Sequence, residues 1–125
     1  MQNAIYSPIT WANGASLSSF TLFKASGPNG LLIPDGMEGA QCRFVRAPLV
    51  NGVLDIANAV DVYDIQGQPV VFTIAATKRV IAFHPFAITG LGYIGLRTQT
   101  VGGVAQSQTG AITAYWLGIA NDLIA

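Results

Sequence analysis

The sequence predicts an all-β domain, a β-sandwich or jelly roll of about eight short strands. Short runs rich in β-branched and aromatic residues recur about every dozen residues, a spacing typical of such folds. Glycine, proline and asparagine separate these runs and supply the turns. No segment sustains a helical period of apolar residues. A chain of 125 residues is long enough to build one such domain around its own core.

The first fifteen residues are predicted to form an N-terminal arm, and residues 16–125 the sandwich domain. The arm contains no charged side chain but carries large apolar ones among turn-forming residues. Left in water, that apolar surface would be costly, so we expect the arm to lie across a neighbouring subunit. The competing interpretation packs it on its own sandwich, with its tryptophan in the core. The predicted interface residues of the arm are Ile5, Tyr6, Ile9 and Trp11.

The N-terminal half then alternates strands and turns. Residues 16–24 alternate in polarity and predict a strand, which ends at the turn-rich sequence ASGPNG. Residues 31–33 predict a short strand that stops at a proline. Residues 41–45 predict a strand with Cys42 and Phe44 on one face. The opposite face of this strand carries Gln41, Arg43 and Val45.

The central stretch, residues 60–98, carries the strongest strand signals. Residues 60–63, 70–74 and 79–83 are rich in β-branched and aromatic side chains. Residues 93–98 predict a strand in which Ile94 and Leu96 share a face. Before this stretch, PLVNG predicts a brief apolar segment with an Asn-Gly turn, and VLDIANA a single helical turn.

The C-terminal part predicts a loop and a closing strand. Residues 99–110 are polar and glycine-rich, so we expect a long hairpin loop that projects and contacts a neighbour. Residues 111–119 form an apolar strand with two apolar faces, which places it at the centre of a sheet or under a partner. The predicted interface residues of the loop are Val101, Val104, Gln106 and Gln108.

The charge content indicates a protein partner. Six basic and six acidic residues make up 10% of the chain, the net charge is zero, and 51% of the residues are hydrophobic. A free monomer with so few surface charges would be prone to associate, so we expect a homodimer or homotrimer. The absence of a basic cluster argues against nucleic acid, and the longest apolar stretch is half a membrane span. The single cysteine allows no intrachain disulfide and is consistent with folding in the cytoplasm.

No residue set predicts catalysis, a cofactor or a metal site, so we expect a protein that is not an enzyme. His84 has no second metal-ligand type near it, and Cys42 has no nearby histidine. On a strand, Asp61 and Asp64 would point to opposite faces, and a calcium site formed by them with Asp35 matches no loop pattern. The run GLGYIG opens a strand and not a helix, which excludes a phosphate loop.

The second half of the chain resembles small β-rich virion proteins of tailed bacteriophages. The family pattern V-Y-D-x-x-G-x-P-V occurs within residues 61–70. The pattern F-A-x-x-G-x-x-Y-I-x-L-R-[ST] corresponds to residues 86–98, and a polar V-A-Q piece to residues 104–106. The N-terminal half carries no such motif.

The resemblance implies a structural role without catalytic residues. Members of this group are capsid decoration, or cement, proteins and other head-associated proteins. By that resemblance the expected partners are the major capsid protein and further copies of the chain, and the expected location is the capsid exterior. The alternative is a head-fibre or tail-associated binding module that uses Trp11, Tyr93, Tyr115 and Trp116 to stack on host carbohydrate or bind another virion protein.

Overall fold

The structure is a computed structural model that describes residues 4–23, 28–74, 79–82 and 91–119. Within these ranges the chain forms short strands and a single 3-10 turn, Ile56–Asn58. No helix in these ranges has the length and apolarity needed to cross a lipid bilayer. The strands are β1 (Ala4–Trp11), β2 (Thr21–Leu22), β3 (Gly30–Ile33), β4 (Gln41–Ala47), β5 (Leu49–Val50), β6 (Val53–Leu54), β7 (Val60–Asp61), β8 (Val71–Thr73), β9 (Arg79–Ala82), β10 (Tyr93–Gln99) and β11 (Ile112–Ile119).

Two antiparallel sheets form the domain. The first sheet has the strand order β1-β11-β3-β9. The second has the order β2-β10-β4-β7, and β8 pairs with the same strand β4 further along its length. A separate two-stranded ribbon, β5-β6, follows β4. The predicted all-β sandwich is therefore confirmed.

The core lies between the two sheets, because each sheet turns alternate residues inward. The residue groupings predicted for the faces of β4 and β10 are the observed ones, and the structure turns the faces with Cys42, Phe44, Ile94 and Leu96 inward. Gly95, on the outer face of β10, leaves room for the Phe20 ring, which lies 3.1 Å from the position a Cβ would take. The buried apolar residues that pack together in this core are Ile9, Trp11, Leu31, Ile33, Met37, Cys42, Phe44, Ile74, Ile94, Leu96, Ala114 and Trp116.

The N-terminal segment corrects the predicted arm. Residues 4–11 form β1, which pairs along its whole length with β11, from Ala4 opposite Ile119 to Trp11 opposite Ile112. Trp11 is buried, and its indole Nε1 donates a hydrogen bond to the Ser16 carbonyl at 3.0 Å. The competing interpretation, in which this segment completes its own sandwich, describes the observed structure.

The strand predicted over residues 16–24 is shorter than expected. Only Thr21–Leu22 forms a strand, β2, while residues 16–18 run irregularly beside β10. The reason is that a side-chain hydrogen bond replaces a backbone hydrogen bond between the strands: the Ser18 hydroxyl accepts the Leu96 N–H at 2.8 Å. Serine side chains compete with the backbone in this way and interrupt regular pairing.

Strand β1 should contribute a large share of the stability of an isolated subunit. We expect Trp11→Ala to lower the free energy of unfolding by about 3–5 kcal/mol, because it empties a buried aromatic site. Removing residues 1–11 should leave no cooperative thermal transition, because it also exposes the apolar edge of β11. Urea and thermal denaturation followed by circular dichroism measure both effects.

The control is Thr10→Ala, since Thr10 lies beside Trp11 on β1 but is exposed. This variant should stay within about 1 kcal/mol of the wild type. A truncated chain that kept the melting temperature of the full chain would restore the arm interpretation.

Candidate protein-docking surface

Exposed apolar side chains are concentrated in one part of the chain. Of the eleven large apolar residues found exposed in the described ranges, seven lie between residues 49 and 65. Patches of this kind mark interaction sites more often than chance surface residues do. We call these seven residues the 49–65 surface: Leu49, Val50, Val53, Ile56, Val60, Tyr63 and Ile65.

The β5-β6 ribbon presents the first part of this surface. Asn51 and Gly52 have φ angles of 52° and 78°, the left-handed values that a tight two-residue hairpin requires. Val50 and Val53 are cross-strand partners and share one face of the ribbon. The Asp55 N–H closes the ribbon by donating to the Pro48 carbonyl at 2.8 Å. Local backbone bonds therefore hold two exposed valines in a defined position.

A second projection leaves the sheet between β7 and β8. The N–H of Val62 donates to the Phe44 carbonyl at 3.0 Å, and the N–H of Phe44 donates to the Val70 carbonyl at 3.1 Å. The N–H of Val70 in turn donates to the Val62 carbonyl at 3.1 Å. We call residues 62–70, which extend away from the edge of β4, the 62–70 hairpin.

The tip of the 62–70 hairpin is tied by one carboxylate. The Asp64 Oδ1 atom accepts the N–H groups of Gln66 and Gln68, each at 2.9 Å. Gly67, with φ of 79°, completes the turn. Ile65 is 102% exposed at this tip, the highest value among the large apolar residues described. The turn is preorganised, so binding through Ile65 would cost little loop ordering.

An ion cluster anchors the base of the 62–70 hairpin. Arg97 forms a bidentate pair with Asp61, at 2.8 Å from Nη1 to Oδ1 and 3.1 Å from Nη2 to Oδ2. Arg43 lies directly opposite Arg97 across the strands, with its Nε 3.5 Å from Asp61 Oδ2. The carboxylate thus separates two like charges that would otherwise repel. The Arg43 guanidinium also lies 4.6 Å from the centre of the Tyr63 ring.

The structure places the predicted arm residues in or along the sandwich. Ile9 and Trp11 are buried in the core of their own subunit, so the predicted interface role of these two residues is wrong. Their side chains occupy the inner face of β1, where no neighbour can reach them. Ile5 and Tyr6 belong to β1 through backbone pairing with Gly118 and Leu117.

The predicted loop, residues 99–110, consists of an exposed turn followed by a segment that packs against the domain. The turn closes with the Thr100 N–H donating to the Val104 carbonyl at 2.8 Å, and it leaves Val101 and Val104 exposed. The segment after the turn does not project from the domain, because the Gln106 N–H donates to the Thr98 carbonyl at 2.8 Å. Gln106 is half-buried and Gln108 is fully buried. The predicted interface role of Gln108 is therefore corrected to a structural one.

Gln108 ties three segments together inside the domain. Its Oε1 accepts the Glu38 N–H at 2.9 Å, while its Nε2 donates to the Glu38 carbonyl at 2.8 Å and to Thr98 Oγ1 at 3.2 Å. The backbone of Gln108 also pairs with Gly14 and Ala15. One amide thus satisfies buried polar groups that come from distant parts of the chain.

The residues weighed for chemistry form no reactive set in the described part of the chain. Burial raises the pKa of the Cys42 thiol far above its ordinary value, so the thiol stays protonated and unreactive. Asp61 pairs with arginine and Asp64 ties a turn, as described above. No group of three or more potential metal ligands occurs among the residues that the structure describes. His84 lies outside the described residues.

The 49–65 surface was missed at the sequence level, although a signal was present. Residues 48–60 contain several large apolar side chains around an Asn-Gly turn, but the predicted elements there are too short to bury them. Apolar residues on elements that cannot enter a core indicate an exposed surface.

Comparisons with known proteins add no family to this description. No protein-family model matches the sequence, no curated protein matches it, and no solved structure matches the fold.

Replacing Gln108 should destabilise the fold. We expect Gln108→Ala to lower the free energy of unfolding by about 2–3 kcal/mol, since it leaves both backbone groups of Glu38 without a partner. Gln106→Ala is the matched control, because the Gln106 side chain reaches only the neighbouring Ser107 carbonyl, at 3.4 Å. Urea denaturation of the two variants measures the difference, and equal midpoints would contradict the structural role of Gln108.

The Cys42 thiol should make stability fall at alkaline pH. The unfolded chain releases this proton above about pH 8.5, while the folded protein retains it. Each further pH unit should therefore cost the wild type about 1.4 kcal/mol relative to Cys42→Ala. Urea denaturation of both proteins from neutral pH to pH 10 measures this difference, and parallel curves would show that the folded thiol ionises normally.

Proposed function

We propose that this chain is a virion structural protein of a tailed bacteriophage, a capsid decoration (cement) protein that binds the major capsid protein and bridges capsomers. The observation that carries the docking role is the 49–65 surface, which lies on rigid projections of a sandwich. The capsid setting comes from the resemblance of residues 61–70, 86–98 and 104–106 to small virion proteins.

The size and placement of the 49–65 surface favour protein docking. Seven large apolar side chains at half exposure or more together present an apolar area on the order of several hundred Å² within seventeen residues of the chain. The β5-β6 ribbon and the 62–70 hairpin are both held by backbone bonds. Many copies that each bury such an area on a capsid lattice would together resist expansion of the shell.

The strand order supports a jelly roll as the architecture behind this role. When β7 and β8 are counted as one interrupted strand beside β4, the domain has two four-stranded sheets. Most consecutive strands then alternate between the two sheets. Jelly rolls of this kind occur in viral capsid domains and also in lectins and cupins, so the fold agrees with the proposal without deciding it.

The alternative of a carbohydrate-binding module is less well supported. Sugar stacking requires aromatic faces that are open to solvent. Trp11 and Trp116 are buried in the core, so two of the four aromatic residues considered for such a platform are inaccessible. Tyr93 is half-buried, and Tyr115 is at the margin of exposure.

A charge placed on the 49–65 surface should weaken capsid binding. We expect Val53→Asp to lower the affinity for capsids that lack the protein by at least tenfold, because the contact would bury an unpaired carboxylate. Val53 is 69% exposed, so the isolated subunit should keep its melting temperature. Co-sedimentation of the purified protein with such capsids measures the affinity.

Val80→Asp is the matched control, since Val80 is a similarly exposed valine on β9 in the other sheet. It should bind capsids as the wild type does. The number of copies in purified particles gives an independent check: hundreds of copies agree with a cement protein, whereas a dozen or fewer indicate a tail or connector part. Absence of the protein from purified particles would overturn the proposal.

A further inference from the structure

A pocket of about 260 Å³ lies at the end of the second sheet where β4 leads into the β5-β6 ribbon. Tyr93 of β10 stands between Leu22 of β2 and Ala47 of β4 in the strand register, and these residues form one wall. Leu49, the first residue of the 49–65 surface, lines the pocket as well. The full lining is Leu22, Arg46, Ala47, Leu49, Gly92 and Tyr93.

Arg46 supplies the only charge among the residues that line this pocket. Its Nε donates to the Leu91 carbonyl at 2.8 Å, which holds the guanidinium beside Gly92. In the described part of the chain no carboxylate pairs with Arg46, and its side chain is exposed. The remaining donors of a guanidinium suit a carboxylate. The pocket therefore suits an apolar side chain with an acidic neighbour.

The chain itself presents such a pair at the tip of the 62–70 hairpin. Ile65 is fully exposed, and Asp64 precedes it directly. The volume of 260 Å³ corresponds to roughly nine waters at about 30 Å³ each, enough for the four carbon atoms of an isoleucine side chain. Among the described residues Asp64 has no cationic partner, and only its Oδ1 is engaged by the turn.

We propose that Ile65 of one copy inserts into this pocket of a second copy, with Asp64 paired to Arg46. Ile65 and the pocket are separate features of one chain. Because Ile65 is fully exposed, it does not fill the pocket of its own subunit. Repeating the contact builds either a twofold pair with two such contacts or a closed ring. This inference deepens the proposed function by naming the self-contact of the assembly.

Sedimentation velocity of the purified full chain across the micromolar range tests the contact. The wild type should associate, and Ile65→Ser should weaken association at least tenfold, as expected for losing one buried aliphatic side chain. Since Ile65 touches little of its own subunit, the variant should keep the wild-type melting temperature. Val80→Ser, which removes another exposed aliphatic side chain, is the matched control and should associate normally.

A double-mutant cycle tests the ion pair. Asp64→Asn retains the side-chain oxygen that accepts the two turn N–H groups and removes the charge. Arg46→Gln removes the other charge. Each single variant should weaken association severalfold, and the double variant should be no weaker than either one. Additive losses would contradict the pairing of these two residues.

Capsid binding separates this inference from the proposed function. The contact between Ile65 and the pocket is overturned if the wild type stays monomeric across the micromolar range, or if the Ile65→Ser variant associates like the wild type. If the protein is monomeric yet binds capsids through Ile65, the partner of Ile65 is the capsid protein, and the self-contact is wrong while the decoration role stands. If self-association depends on Ile65 but no capsid binding occurs, the self-contact stands and the decoration role fails.

Discussion

The structure depends on the aromatic contact that joins the two sheets. Trp116 lies on β11, between β1 and β3, and its ring stacks on Phe44 of β4 with centroids 6.3 Å apart and planes at 17°. Phe23 meets the same indole edge-on at 5.0 Å. Because β11 and β4 are each an inner strand of their sheet, this contact positions the strands paired on either side of them. Burial of such large rings is among the strongest contributions that a small domain can make to its own stability.

Because the strands bury their inner faces in the core, the loops and hairpins between the strands determine which side chains the domain exposes. In the loop of residues 99–110, the buried Gln108 side chain holds the second part of the loop against the domain. The turn around Val101 is therefore the part of this loop that is exposed. On the edge of β4, by contrast, the chain leaves the sheet twice between residues 48 and 70, and backbone bonds hold both excursions. The result is a sandwich with two preorganised projections that carry exposed apolar side chains, and these are the basis of the docking proposals.

The elements predicted best are those that local patterning specifies. The alternation of Cys42 and Phe44 against Arg43, and of Ile94 and Leu96 against Arg97, predicted correctly which side chains share a face, because a strand turns successive side chains to opposite sides. The Asn-Gly turn at residues 51–52 is also local, since it depends on left-handed φ values. Prediction was poorer where a side chain took part in backbone pairing, as Ser18 does beside β10.

By itself, the sequence determined the fold class, which residues of β4 and β10 share a face, and turns such as Asn51-Gly52, since each depends on residues near one another in the chain. Whether the uncharged N-terminal segment is an arm or a strand was decided by its pairing with β11, more than a hundred residues away, and no local pattern specifies such a partner. The burial of Gln108 and the exposure of Ile65 were likewise decided by the tertiary structure. A buried amide is acceptable only where distant partners meet it, and an isoleucine is exposed only when its hairpin leaves the sheet.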